Sequence, residues 1–529
     1  MSVTTRARWF SCFGIFLLVL PIGARAQAHP TRVGSAQTRE QRTAHALEIA
    51  RVNPLELRAL LVSMPKGADL HNHLGGAVYA ESWIRAAAED GLCVDLATKS
   101  VVRPSASTAS AGPQRCGDGQ TPAADAYKDQ HLYDALIDAF SMRGFVASSG
   151  VTGHDHFFDT FDRFAAVDSN KRHTGEWLDE AATRAAAQNE QYLELMETPD
   201  FRHTADLANQ LGWRDDLAQM RTDLLARGLR EDVQRDRAEF DQAENLRAQR
   251  EHCGQKDQAA ACRVQIRFLY QVLRGLPRQV VFAQTLLGFE TASADTRVVG
   301  LNYVMPEDGY TSMSDYALHM RMVGFLHNLY PKVHISLHAG ELAPALVPPD
   351  GLCCHIRLAV EQAHAERIGH GVDVMYEDRP YDLLKEMAQK HIMVEINLTS
   401  NDVILGVTGK DHPLPIYRRF GVPVALSTDD EGVSRIDLTH EYLRAVETYR
   451  LRYADLKQMV RTSLEHSFLP GESLWRNPDN FKSAVSACSS EPLGAEKPPP
   501  ACSAFLQKSE KAAQQWELER RFLTFESSH

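Results

Sequence analysis

The segment GADLHNHLGG, Gly67 to Gly76, sets His71 and His73 two residues apart at the end of an apolar and acidic run. Side chains of a strand alternate faces, so both imidazoles project to the same side and can converge on one point. Two convergent imidazoles are half of a metal site. A two-residue pattern describes equally well a pair of histidines beside a turn, so the rest of the chain has to decide between them.

From Met64 onward, short apolar or β-branched runs alternate with segments of helical period. The runs are GADLHNHL, QYLELMET (Gln191 to Thr198), RVQIRFLYQVL (Arg263 to Leu273), RVVGLNYVM (Arg297 to Met305), KVHISLHAGE (Lys332 to Glu341), ERIGHG (Glu366 to Gly371), IMVEINLTSN (Ile392 to Asn401) and VPVALSTDDE (Val422 to Glu431). Eight strands separated by helices is the count of an α/β protein of the (β/α)8 TIM barrel type. The barrel is expected over 64–480, with a Ser/Ala/Gly/Pro-rich loop insertion near 93–125 and a charged, helical insertion near 200–257. Before it, 27–63 reads as a lead-in and one helical segment that Thr38 could cap, with Gln41 three residues on. After it, 481–529 reads as a loop and a final helix from Ser503 to about Phe525.

The first residues have a different character. Arg6 and Arg8 precede the apolar run WFSCFGIFLLVLPIG, and Ala24-Arg25-Ala26 precede Gln27, the order of a cleaved secretory signal over 1–26. The run is too short to span a bilayer and no second run could, so no membrane span is expected after cleavage. Losing three arginines and no acid moves the formal charge from -12 to -15, which disfavours a broad grip on nucleic acid. Export also suits the cysteines: Cys12 lies in the signal, and the other eight are an even number, as a disulfide set requires. Proximity suggests Cys93 with Cys116, Cys253 with Cys262 and Cys488 with Cys502, leaving the adjacent Cys353 and Cys354 ambiguous. The expected location is a periplasm or the extracellular space.

Barrel enzymes build their sites at the C-terminal ends of the strands, and that is where polar residues collect here. His338 ends one strand and Glu341 follows in its loop; His370 ends the next, between Gly369 and Gly371; Asp429 and Asp430 close the last. Four strand ends deliver histidine or carboxylate to one mouth.

In order, MPKGADLHNHL, HAGE, RIGHG, TSN and STDD resemble the adenosine deaminase family of the metal-dependent amidohydrolase superfamily, over roughly Met64 to Ser434 and nearest to its secreted, growth-factor-type branch. The resemblance implies one zinc ion held by His71, His73, His338 and Asp429, a nitrogen and oxygen set suited to that metal. It implies that Glu341 is the general acid, that His370 orients the zinc-activated water, and that Asp430 faces the purine N7. It places the backbone from Gly300 to Asp308, in VVGLNYVMPED, along the purine pocket after the fourth strand. The implied reaction is hydrolytic deamination of adenosine, and of 2'-deoxyadenosine, to inosine and ammonia.

The chain departs from the pattern at Gly75, where cytosolic members carry an aspartate that contacts the ribose. HDHFF, His154 to Phe158, could supply polar and aromatic contacts instead, with His156 the candidate, or could be an ordinary loop with one aromatic packed inward. Other readings are a deaminase of a different 6-aminopurine such as adenine, or an exported nucleoside-binding protein with a dead site. A binuclear amidohydrolase would want a lysine or carboxylate where the fourth strand ends in Asn302, Tyr303 and Val304, and the cytidine-deaminase signature is absent. No basic cluster near the motifs would hold the phosphate of AMP.

Overall fold

All eight apolar runs are strands in the computed structural model, which describes residues 38–104, 116–489 and 492–529. They are β1 (Gly67–His73), β2 (Glu190–Glu197), β3 (Gln265–Leu273), β4 (Val298–Val304), β5 (His334–Ala339), β6 (Arg367–His370), β7 (Met393–Ile396) and β8 (Val424–Leu426). Each pairs in parallel with the next in sequence. β2 is buried along its whole length, as expected of a parallel strand covered on both faces. The seam between β8 and β1 closes just beyond the end of β8: Asp429 N–H donates to the carbonyl of His71 at 2.8 Å, and His73 N–H donates to the carbonyl of Asp429 at 3.3 Å. Helices flank the strands, as in a TIM barrel.

The helical segment expected before the barrel is two helices, α1 (Arg39–Ala50) and α2 (Pro54–Ser63). Asn53 and Pro54 explain the break. Residues before proline are pushed out of the helical region, and the Asn53 side chain accepts from the N–H of Leu55 to cap α2, which proline can begin without losing a bond. The charged insertion folds as three helices, Arg202–Leu211, Leu217–Ala226 and Arg230–Arg250. Between β1 and β2, Cys93–Asp95, Val101–Val102 and Gln120–Pro122 form a small antiparallel sheet, followed later by α3 (Gly153–Asp168). The C-terminal helix α4 (Glu510–Ser527) packs on the barrel through Leu518, Phe522 and Phe525.

The pairs Cys93/Cys116, Cys253/Cys262 and Cys488/Cys502 lie at Cα–Cα separations of 5.7, 5.5 and 4.6 Å, within disulfide range, and Cys353 lies against Cys354. The signal-like stretch 1–26, the lead-in up to residue 37 and part of the 93–125 insertion lie outside the described residues. No helix among the described residues is long and apolar enough to cross a membrane.

The barrel interior below the mouth holds a buried ionic network beside a small apolar cluster of Met196, Leu269, Val304 and Phe468. Arg367, fully buried on β6, pairs at 2.7 Å with both Glu395 of β7 and Glu194 of β2, and its guanidinium lies 3.9 Å from the centre of the Phe468 ring. Buried charge is tolerated only when paired and hydrogen-bonded, and this network forms the floor of the site above it.

Candidate active site

Seven residues named from the sequence, His71, His73, His338, Glu341, His370, Asp429 and Asp430, are brought together at the C-terminal mouth. Nε2 of His73 lies 3.2 Å from Nε2 of His338 and 3.3 Å from Oδ1 of Asp429, which is itself 3.6 Å from Nε2 of His71. Backbone strain helps to aim two of the seven. His370 (φ 68°) and Asp429 (φ 60°) sit in the left-handed region that residues other than glycine rarely occupy, a cost that clusters at functional sites.

Two glycines make the approach possible. A Cβ on Gly369 would stand 2.5 Å from Cε1 of His71, so RIGHG needs glycine before His370 to admit the neighbouring ring. A Cβ on Gly76 would fall 1.5 Å from Oδ1 of Asp430, so the second glycine of GADLHNHLGG clears space for that carboxyl.

Partners beneath the rings fix where the protons sit. Nδ1 of His71 faces Oε2 of Glu395 at 2.6 Å, Nδ1 of His73 faces Oε1 of Gln271 at 2.8 Å, and Nδ1 of His338 faces Oδ1 of Asn302 at 2.8 Å. The Asn302 oxygen also accepts the backbone N–H of His338, which settles the amide's orientation. Each Nδ1 therefore donates outward, and each Nε2 turns a lone pair inward. His73 and His338 then oppose lone pairs at 3.2 Å, and Nε2 of His71 is buried with no hydrogen-bond partner. Three inward nitrogens around one carboxylate, repulsive on their own, fit a divalent cation of zinc's preferences.

His370 is different. Its ligand-type atoms fall within 4.8 Å of those of His71, His338 and Asp429, so proximity alone would count it as a ligand. Yet its Nδ1 accepts from Nδ2 of Asn401 at 2.9 Å, and Oδ1 of Asn401 accepts from Nε2 of His412 at 3.0 Å, whose own Nδ1 takes the N–H of Leu414. That chain leaves the proton of His370 on Nε2, directed at the site, and a protonated nitrogen cannot ligate a metal. Burial holds the ring neutral, its pKa lowered to about 3.

Glu341 is placed by its neighbour Glu307. The Glu307 carboxylate accepts the N–H of Gly340 at 3.0 Å and of Glu341 at 2.9 Å, and pairs with Nδ1 of His355 at 2.5 Å. Arg274, fully buried, donates to the carbonyls of Met305 and His338. Burial, then the charges of Asp429 and Glu307, push the Glu341 carboxyl well above its ordinary range, which favours its protonated form. Burial and Asp429 likewise raise Asp430 to about 8, and its Oδ1 is buried without a partner.

Two expected contacts are corrected. Gly300 lies near the start of β4, paired with Leu269 and His334, and its Cβ position is filled by the His334 carbonyl and the Phe468 ring, at the floor rather than the mouth. The later part of the same stretch, Met305 to Asp308, lies beyond the end of β4. His156 turns its Nε2 to the carbonyls of Asp138 and Ser141 and stacks on Phe145, capping the end of the preceding helix rather than facing the mouth with that nitrogen. In the same stretch His154 reaches Oδ1 of Asp308 at 3.0 Å and ties α3 to the β4 loop. Glu395, Gln271, Asn302, Asn401, His412 and Glu307 were not singled out from the sequence as site residues. Glu395 and Asn302 carry a signal there, a lone polar side chain in an otherwise apolar strand; Gln271 shares its strand with Gln265 and Arg267, and Glu307, Asn401 and His412 lie past strand ends among other polar residues.

Comparison with known proteins shows the family. The family model for adenosine deaminase matches residues 130–476, more than half of the chain, and the protein belongs to that family. Curated adenosine deaminases from Clostridium perfringens and Escherichia coli are 34% and 36% identical over 139 and 140 residues, 26% of this chain in each case. Those matches span 39% of the relatives' own length. Among solved structures, the ADAL–IMP complex aligns with a TM-score of 0.50 at 18% identity, covering 78% of this chain and 94% of that one. A zinc-bound amidohydrolase from Burkholderia ambifaria aligns with a TM-score of 0.50 at 16% identity, covering 78% and 88%. At these identities the structural likeness speaks for the fold alone.

Proposed function

We propose that the protein is a zinc-dependent adenosine deaminase, hydrolysing adenosine and 2'-deoxyadenosine to inosine or deoxyinosine and ammonia. The observation that carries this is the convergence of three inward Nε2 lone pairs on Asp429 beside the buried Glu341 carboxyl, whose pKa burial pushes well above the ordinary range. His71, His73, His338 and Asp429 would hold the metal, which when bound supplies the Lewis acidity that makes water a nucleophile near neutral pH.

The chain's own groups do the rest. Glu341 donates its proton to N1 of the purine as water attacks C6, so the ring nitrogen never carries full negative charge. His370 offers Nε2–H to orient the attacking oxygen. Asp430, protonated near pH 7, donates to N7, which is an acceptor. Burial of the whole cluster excludes bulk water and strengthens each of these interactions. Water's oxygen ends on C6 as the carbonyl, one of its protons leaves on the exocyclic nitrogen as ammonia, and the other restores the Glu341 carboxyl.

We place this activity outside the cytoplasm, on the strength of the signal-like N-terminus and the cysteine pairs at disulfide range. The N-terminal sequence of exported protein beginning at Gln27 would support it; an intact Met1 terminus would overturn it.

The test of function follows absorbance at the adenosine-to-inosine wavelength on mature protein, with adenosine, deoxyadenosine, adenine and AMP in parallel and metal content on the same sample. Rapid loss of adenosine with about one zinc per chain is the expected result. Preference for free adenine would move the substrate to the base, and zinc without turnover would leave a binding protein.

A further inference from the structure

We infer that Asp168, the last residue of α3, is a specificity residue of the site and binds the hydroxyls of the substrate's sugar. The inference rests on the deaminase reading above.

Gly75 follows His73 by two residues at the mouth and, like His73, remains partly open. A Cβ built on it would meet only one group within 4 Å, the carboxylate of Asp168, with Oδ1 at 3.4 Å. An aspartate from a distant helix thus stands over the position where a side chain on residue 75 would stand. Asp168 is half-buried, and its carboxylate has no hydrogen-bond or ion-pair partner among the described residues. Neighbouring acids are engaged: Glu197, at the end of β2, is held by Lys171 at 2.7 Å. Burial would lower the Lys171 ammonium, but Glu197, Asp168 and Glu239 together raise it, so a fixed positive charge sits behind the carboxylates.

A half-buried acceptor without a donor, beside an open glycine at the rim of a catalytic cleft, is suited to a ligand that brings donors. The purine edge is engaged deeper, by Glu341 and Asp430. What remains of a nucleoside is its pentose, whose hydroxyls donate, and a carboxylate can accept two of them. A phosphate at the same place would be repelled by Asp168, which makes the site selective for nucleosides over nucleotides.

Steady-state kinetics on the wild type, D168N and D168A, with adenosine and its 2'-, 3'- and 5'-deoxy analogues, test this. The expected result is a KM for adenosine raised about 10- to 100-fold in D168A with kcat little changed, the scale of a hydrogen bond to a charged group. The penalty should shrink for the analogue lacking the hydroxyl that Asp168 binds. An equal penalty across all analogues, or none, overturns the inference while leaving the reaction standing. No turnover of any analogue by the wild type overturns the reaction and the inference together. D168N, nearly isosteric, and the melting temperature of both variants separate recognition from folding.

Discussion

Asn401 donates its side-chain amide to Nδ1 of His370 at 2.9 Å, and that bond decides which nitrogen of His370 carries the proton. Because His412 fixes the amide's orientation from the other side, the tautomer is set by a chain of three side chains reaching back to a backbone N–H.

Asn401→Asp should therefore act out of proportion to its size. A carboxylate would pull the proton of His370 to Nδ1 and turn a lone pair toward the metal. We expect kcat to fall about 100-fold, within the range for a positioned proton-handling group, with the protein folded and zinc retained by elemental analysis. Unchanged kcat would show that the tautomer does not matter.

Glu341→Gln tests the proton donor directly. The amide keeps the shape and the hydrogen-bonding reach but cannot deliver a proton. Turnover should drop by at least about 100-fold with metal content unaltered. Surviving activity would assign the donor elsewhere.

The metal should feel its outer partners. His71→Ala should lose metal and activity together. Glu395→Gln leaves every proposed ligand in place but removes the charge that steadies His71 at 2.6 Å, and should weaken zinc about 10- to 100-fold in chelator competition. An unaltered affinity would reduce Glu395 to a partner of Arg367 alone.

Acid stability should report on Glu307. Burial opposes its ionisation, but His355, Arg274 and the N–H of Gly340 outweigh burial and hold its pKa down to about 2, from 4.5. A carboxyl depressed by folding stabilises the protein fully above its unfolded pKa and loses that contribution as pH falls toward the folded value. The contribution is about 3 kcal/mol by linkage. Glu307→Gln should be destabilised by that order at pH 7 in urea unfolding, and the gap from wild type should narrow between about pH 4.5 and pH 2. A gap independent of pH would mean that Glu307 acts by shape alone.

The barrel was legible because each strand is a short apolar run, and its chemistry was legible because those runs end in histidine or carboxylate. Less visible were the groups that act through geometry across the sheet. Glu395 and Asn302 are single polar letters in apolar strands, and nothing local says that they lie beneath His71 and His338; only the closed barrel sets β7 one strand away from β1, across β8, and β4 beside β5. The resemblance places the backbone from Gly300 to Asp308 along the purine pocket, but Gly300 lies near the start of a strand of seven residues, at the floor rather than the mouth. His156 lost its role for a similar reason: its helix turns it toward the end of the preceding helix, and His154 is the one that crosses. Asp168 carried no motif at all.

The seam at Asp429 has a consequence for how the molecule is made. A chain emerging from the ribosome has three of the four proposed ligands by His338, but the residue that shuts the ring and completes the set arrives only with Asp429. Every truncated product ending before that point lacks both closure and the fourth proposed ligand, so the site cannot assemble until the eighth strand has been synthesised and docked.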